Sequence, residues 1–127
     1  EYHKEKKEND DFMCVFPRTI KIFVGFADPT IYLDKTLEND SCLQQKTLRH
    51  ELNHLDNAHT FLKALVLALK ANISKIIMDT GPVFEENSNV YFSQIKDFTN
   101  VYNEKWKKND ALLDNYENYH KEAKLCH

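Results

Sequence analysis

His50, Glu51 and His54 stand in the order His-Glu-x-x-His, HELNH in full. On a helix, two histidines four residues apart lie one turn apart on the same face, so both imidazoles can reach one metal ion. A zinc ion held there lowers the pKa of a bound water toward about 7. Glu51, on the neighbouring part of that face, can take a proton from that water and pass it to a leaving group. The chemistry expected of this trio is hydrolysis of a peptide or other amide by a zinc-activated water, with Glu51 as general base. The competing reading is a helix with two solvated histidines and an ordinary glutamate.

Such a site needs a third protein ligand. His59 is the nearest candidate in sequence. It lies nine residues after His50, which places it about 180° around a helix from that residue. It falls between Leu55 and Leu62 on an apolar stripe and reads as a core or partly buried histidine. The extended metalloprotease pattern HExxHxxGxxH is broken here, because Asn57 replaces the glycine and Thr60 the last histidine. A distant segment should supply the ligand. Glu117 and His120, three residues apart and so on one helical face, are the candidates, with His120 preferred. Both could equally be surface residues. Tyr119 and Tyr116 flank them. A tyrosine hydroxyl near the metal could stabilise the oxyanion formed when water attacks a carbonyl, or the rings could serve only in packing. Asp56 either orients a ligand or sits on solvated helix surface.

The elements that must position these groups follow from the residue pattern. A helix is expected over 42–70, capped by Asp40 or Ser41, with Leu48, Leu52, Leu55, Leu62, Val66 and Leu69 forming an apolar stripe on a face other than that of the histidines. Gly81-Pro82 interrupts the chain within a loop over 79–89. Two further helices are expected at 90–108 and 111–125. Ahead of them, 19–26 (TIKIFVGF) reads as a strand, and 31–33 as a second, with turn chemistry between. The order is a short β element followed by three helices, hence α+β. Residues 1–11, EYHKEKKENDD, read as a polar arm, solvated or helical, ahead of a single domain over 12–127.

A chain of 127 residues with 42% apolar content suits one small domain. A net charge of −3 argues against a general nucleic-acid binder. No apolar run approaches the roughly 18 residues of a transmembrane helix. The sequence opens on Glu1, as a processed chain would, so an export signal could have preceded it. Cys14, Cys42 and Cys126 allow one disulfide and one free thiol. A Cys42–Cys126 bridge would pin the C-terminal segment beside the metal helix, and three buried reduced thiols are the alternative.

The stretch Ser41-Cys42 followed by 47–58 (TLRHELNHLDNA) resembles small bacterial zincin-like proteins, secreted or periplasmic zinc proteases of unassigned function. Asp114, Glu117, Tyr119, His120 and Cys126 are similar to the C-terminal helical segment of that family. The likeness covers about half the chain and is firmest around HELNH. It implies a minimal zincin-like fold, zinc on His50 and His54, Glu51 as base, and export to the periplasm or beyond. The substrate expected is a peptide, a protein or a cell-wall cross-link. The alternative is a catalytically inactive module that keeps the scaffold for binding.

Overall fold

The computed structural model describes residues 1–6, 13–124 and 126, with the side chains of residues 3–6, 116, 119, 122 and 123 outside that description. In chain order it contains strands β1 (Tyr2–Lys6) and β2 (Met13–Pro17), a 3-10 turn at Lys35–Asn39, helix α1 (Ser41–Thr80), strand β3 (Val83–Phe84), a 3-10 turn at Glu85–Asn87, and helices α2 (Val90–Ala111) and α3 (Tyr116–Lys124). The mixture of a small sheet with helices is the α+β class expected.

The chain groups into two compact units. One comprises Glu1–Val24 with Ala64–Tyr102, the other Gly25–Lys63 with Asn103–His127. In the first unit, β2 is the middle of a three-stranded antiparallel sheet ordered β1-β2-β3. Val15 at its centre is 1% exposed. Tyr91, also buried, sets its hydroxyl 2.6 Å from the Gly81 carbonyl oxygen and 3.1 Å from that of Val15. Its one proton serves either acceptor, and the ring ties the start of α2 to the sheet.

This sheet is built from segments other than those expected. Residues 19–26 and 31–33 adopt no regular structure, and Phe23 and Tyr32 stand almost fully in solvent. Their β-forming residues describe side chains that suit a pleated surface, but a strand also needs a partner ladder. Met13–Pro17 has both of its edges taken, by Tyr2–Lys6 and by Val83–Phe84. The polar opening segment is therefore partly sheet: β1 pairs with β2 from Tyr2↔Pro17 to Lys6↔Met13. Its backbone supplies the pairing, which side-chain polarity does not forbid. Residues 7–12 lie outside the described part.

Helix α1 begins where Asp40 caps it, the carboxylate accepting the Leu43 amide at 3.0 Å. It runs ten residues past the expected end, because the rich run of Leu, Ala and Lys over 62–71 favours helix and nothing breaks it before Gly81. Gly81 takes φ 66° and donates its amide to the Ile77 carbonyl at 3.0 Å, a left-handed stop that a side chain would strain. Pro82 follows and cannot continue the helix.

The buried line along α1 differs from the leucine stripe expected. His50, Ala58, Leu65, Leu69 and Ile77 are buried, whereas Leu48, Leu52 and Leu55 are exposed. At 100° per residue these steps turn the buried line by about 180° from His50 to Ile77, so no single face is buried along the whole helix. His50 is itself buried, and His54, one turn on, is half-buried. The histidine pair thus lies on the packed side of the first part of the helix. His59, expected in or near the core, is exposed.

Candidate metal centre

The second unit brings the first part of α1 against the end of α2 and the turn that follows it. Phe61 stacks on Trp106, with ring centroids 5.4 Å apart and planes at 24°. Phe26 adds a tilted contact to the same indole at 6.2 Å. One turn before Phe61, the Asn57 amide donates to Asp110 Oδ1 at 2.9 Å, and Asp110 is one turn after Trp106. The two helical segments therefore run antiparallel, 57 facing 110 and 61 facing 106. That register directs the chain leaving α2 past His54 and His50.

Beyond Ala111 the helix gives way to turns, and α3 starts only at Tyr116. Asn115 caps it, its side-chain oxygen accepting the Asn118 amide at 2.9 Å. Asp114 sits in the break. Its Oδ1 lies 3.0 Å from His50 Nε2 and 3.0 Å from His54 Nε2, and the two ring nitrogens are 3.2 Å apart. One atom from each of His50, His54 and Asp114 thus forms a near-equilateral triangle, and the three residues are placed to hold a metal ion. Donors about 2.1 Å from a tetrahedral zinc would stand roughly 3.4 Å from one another, a few tenths of an ångström beyond these separations. Asp110 occupies the other side of the His54 ring, Oδ1 to Nδ1 at 3.0 Å. Two carboxylates beside two neutral imidazoles would balance a divalent charge.

The environment is graded. His50 is 3% exposed, His54 19% and Asp114 53%, so the group opens to solvent on the aspartate side. Burial draws the His54 pKa down, but hydrogen bonds with Asp110 and Asp114, helped by their charges, outweigh it and the net shift is upward. Asp114 moves the other way: the hydrogen bond with His50 lowers its pKa against the opposing effect of burial, and His54 adds to the lowering. Without a metal, His54 suits an imidazolium held between two carboxylates. A bound cation would take over the proton's place at Nε2.

The residues singled out in the sequence fare differently. His50 and His54 come together as the spacing requires. Glu51 follows His50 on α1 and is half-buried. Glu117 and His120, offered as third ligand, are exposed on α3 and neither joins the three-residue group; Asp114 takes that position. The reason is the break at 112–115: a helix continuous from 111 would have carried the chain past the histidines, whereas the turn leaves Asp114 facing them. The side chains of Tyr116 and Tyr119 lie outside the described ones. Asp56 is exposed, and the acid that contacts His54 Nδ1 is Asp110, 56 residues away in sequence. The tie between Asp110 and His54 joins two helices and is not visible from helical spacing within either. The Asp-x-x-x-Asp spacing of 110 and 114, just before an Asn cap, was the available signal.

Cys42, at the start of α1, is bridged to Cys126, with Cα atoms 5.7 Å apart. The bond links the segment before the histidines to the segment after Asp114. Cys14 is a free, half-buried thiol. Among the described residues no helix is long and apolar enough to cross a membrane. Comparisons of the chain with protein-family models, with curated proteins and with solved structures give no match.

Proposed function

We propose that the protein is a zinc-dependent metallopeptidase or amide hydrolase, with His50, His54 and Asp114 as metal ligands and Glu51 as general base. The observation that carries the reading is the triangle of two Nε2 atoms and one carboxylate oxygen at 3.0 to 3.2 Å. Two imidazoles with one carboxylate suit zinc, and three protein ligands leave a fourth position for water or substrate. Bound there, the ion would polarise a substrate carbonyl and make hydroxide available near neutral pH. Glu51 lies about 60° around the helix from His54, close enough in direction to serve the same reacting centre. Its part is to accept a proton at its carboxylate and return it to the departing amine.

The half-exposed Asp114 supports a substrate that reaches the centre from outside, such as an extended peptide, a protein loop or a cell-wall cross-link. A disulfide suits an oxidising compartment, and export to the periplasm or outside the cell is part of the proposal.

The test is cleavage of casein and of cross-linked peptidoglycan fragments by zinc-loaded protein beside Glu51→Gln. Activity in the wild type, reduced by at least about 100-fold in Glu51→Gln with zinc retained, is the expected result. Cleavage by Glu51→Gln at the wild-type rate would remove Glu51 from its role.

A further inference from the structure

We propose that Asp110, held by Asn57, is the positioning residue that aims His54 at the metal. The inference rests on the reading of His50, His54 and Asp114 as ligands and adds a supporting pair that the His-Glu-x-x-His pattern does not contain. Asp110 Oδ1 accepts two hydrogen bonds, from His54 Nδ1 at 3.0 Å and from Asn57 Nδ2 at 2.9 Å. Because the acceptor is a carboxylate, Asn57 must present its amide nitrogen to it. Asn57 and His54 are three residues apart, so both reach Asp110 from one face of α1.

The consequence falls on the other ring nitrogen. A proton kept at Nδ1 by Asp110 leaves the Nε2 lone pair directed toward His50 and Asp114. The same bond fixes the rotation of the ring, whose alternative would turn Nε2 away from the triangle. Asp110 is itself fixed from below, since Trp106 one turn earlier is stacked on Phe61. Aromatic packing, a side-chain amide, a carboxylate and an imidazole thus form one line ending at the metal position. Removing a carboxylate of this kind weakens metal binding by about 10- to 100-fold.

The experiment is a competition titration with zinc alone against a chromophoric chelator, on the full chain, comparing wild type with Asp110→Ala, Asp110→Asn, Asn57→Ala and Glu117→Ala. Melting curves of the zinc-free proteins separate folding from affinity. The expected result is zinc binding weakened about 10- to 100-fold in Asp110→Ala, weakened less in Asn57→Ala, partly restored in Asp110→Asn, and unchanged in Glu117→Ala, which removes the same charge from an exposed place. In the zinc-loaded wild type, a low-field His54 Nδ1 proton should resist exchange with solvent, and it should vanish from Asp110→Ala. Should Asp110→Ala fail to fold, Asn57→Ala decides. Zinc binding in Asn57→Ala and in any folded Asp110 variant at the wild-type affinity would overturn the positioning role while leaving the ligands in place. A wild type that binds no zinc would overturn both.

Discussion

The carboxylate of Asp114 stands 3.0 Å from Nε2 of His50, a residue 64 positions earlier in the chain. Secondary structure alone could not produce that meeting. It depends on the end of α2 docking on α1 and on the chain turning before α3. The first prediction follows: Asp114→Ala should cut zinc affinity by at least about 100-fold, more than loss of a supporting residue. Glu117→Gln and His120→Ala should leave it unchanged. Isothermal titration with zinc on the four proteins checks the ordering. Strong loss in His120→Ala with none in Asp114→Ala would restore the ligand first expected from helical spacing.

The second concerns pH. The His54 pKa is raised above its ordinary 6.5, so in zinc-free protein its contribution to stability is full below that value and is lost as pH rises through the folded-state value. The Asp114 pKa is lowered below its ordinary 3.8, so its contribution is full above that value and is lost as pH falls through the folded-state value. Chelator-treated protein should therefore be stabilised by this cluster most between those two ranges, in weakly acidic solution. Zinc competes with the proton at His54, so the rise in Tm on adding zinc should be larger at pH 8 than at pH 5.5. Thermal melts over a pH series, with and without zinc, give both trends. A zinc-induced rise that shrinks with increasing pH would contradict them.

The third concerns the disulfide. Cys42 and Cys126 are 84 residues apart. Closing a loop of that size constrains the unfolded chain enough to stabilise the fold by roughly 4.5 kcal/mol in the chain-entropy account. Cys42→Ser with Cys126→Ser should lower the urea midpoint accordingly. Zinc affinity should fall as well, because the bridge joins the chain on both sides of the ligand set. Equal zinc affinity in oxidised and reduced protein would show that the packing of α1 against α2 suffices.

The fourth tests which face of α1 is packed. Leu65 is 2% exposed, while Leu52 is 47% exposed although it belongs to the leucine series that the sequence suggests. Leu65→Ala should cost about 2–5 kcal/mol of stability, and Leu52→Ala less than about 1 kcal/mol. Urea unfolding of the two variants measures the difference. Similar losses in both would return the leucine series to the core.

That contrast shows what could be read before the structure. The His50–His54 pairing and the Asp40 cap rest on geometry within a few residues, and the sequence displays both, whereas Gly81-Pro82 reads there only as loop punctuation and the helix runs on to it. The buried positions of α1 are less legible. Histidine counts as polar in any apolar pattern, yet His50 is buried and His54 half-buried. The sheet differs because strand pairing is a relation between segments: 19–26 has side chains that suit a strand but pairs with none among the described residues, while the polar Tyr2–Lys6 pairs with β2. Asp114 figures in the sequence only through the C-terminal likeness, and its place beside the histidines, like that of Asp110, depends on Trp106 on Phe61 setting the register of one helix on the other.

The most direct measurement is an anomalous difference map, recorded at the zinc absorption edge, from crystals of the full chain grown with zinc. The account predicts one strong peak per chain, about 2.1 Å from Nε2 of His50, Nε2 of His54 and a carboxylate oxygen of Asp114, and no such peak in His54→Ala. A map without that peak, or with zinc bound elsewhere and none beside the two imidazoles, would contradict it.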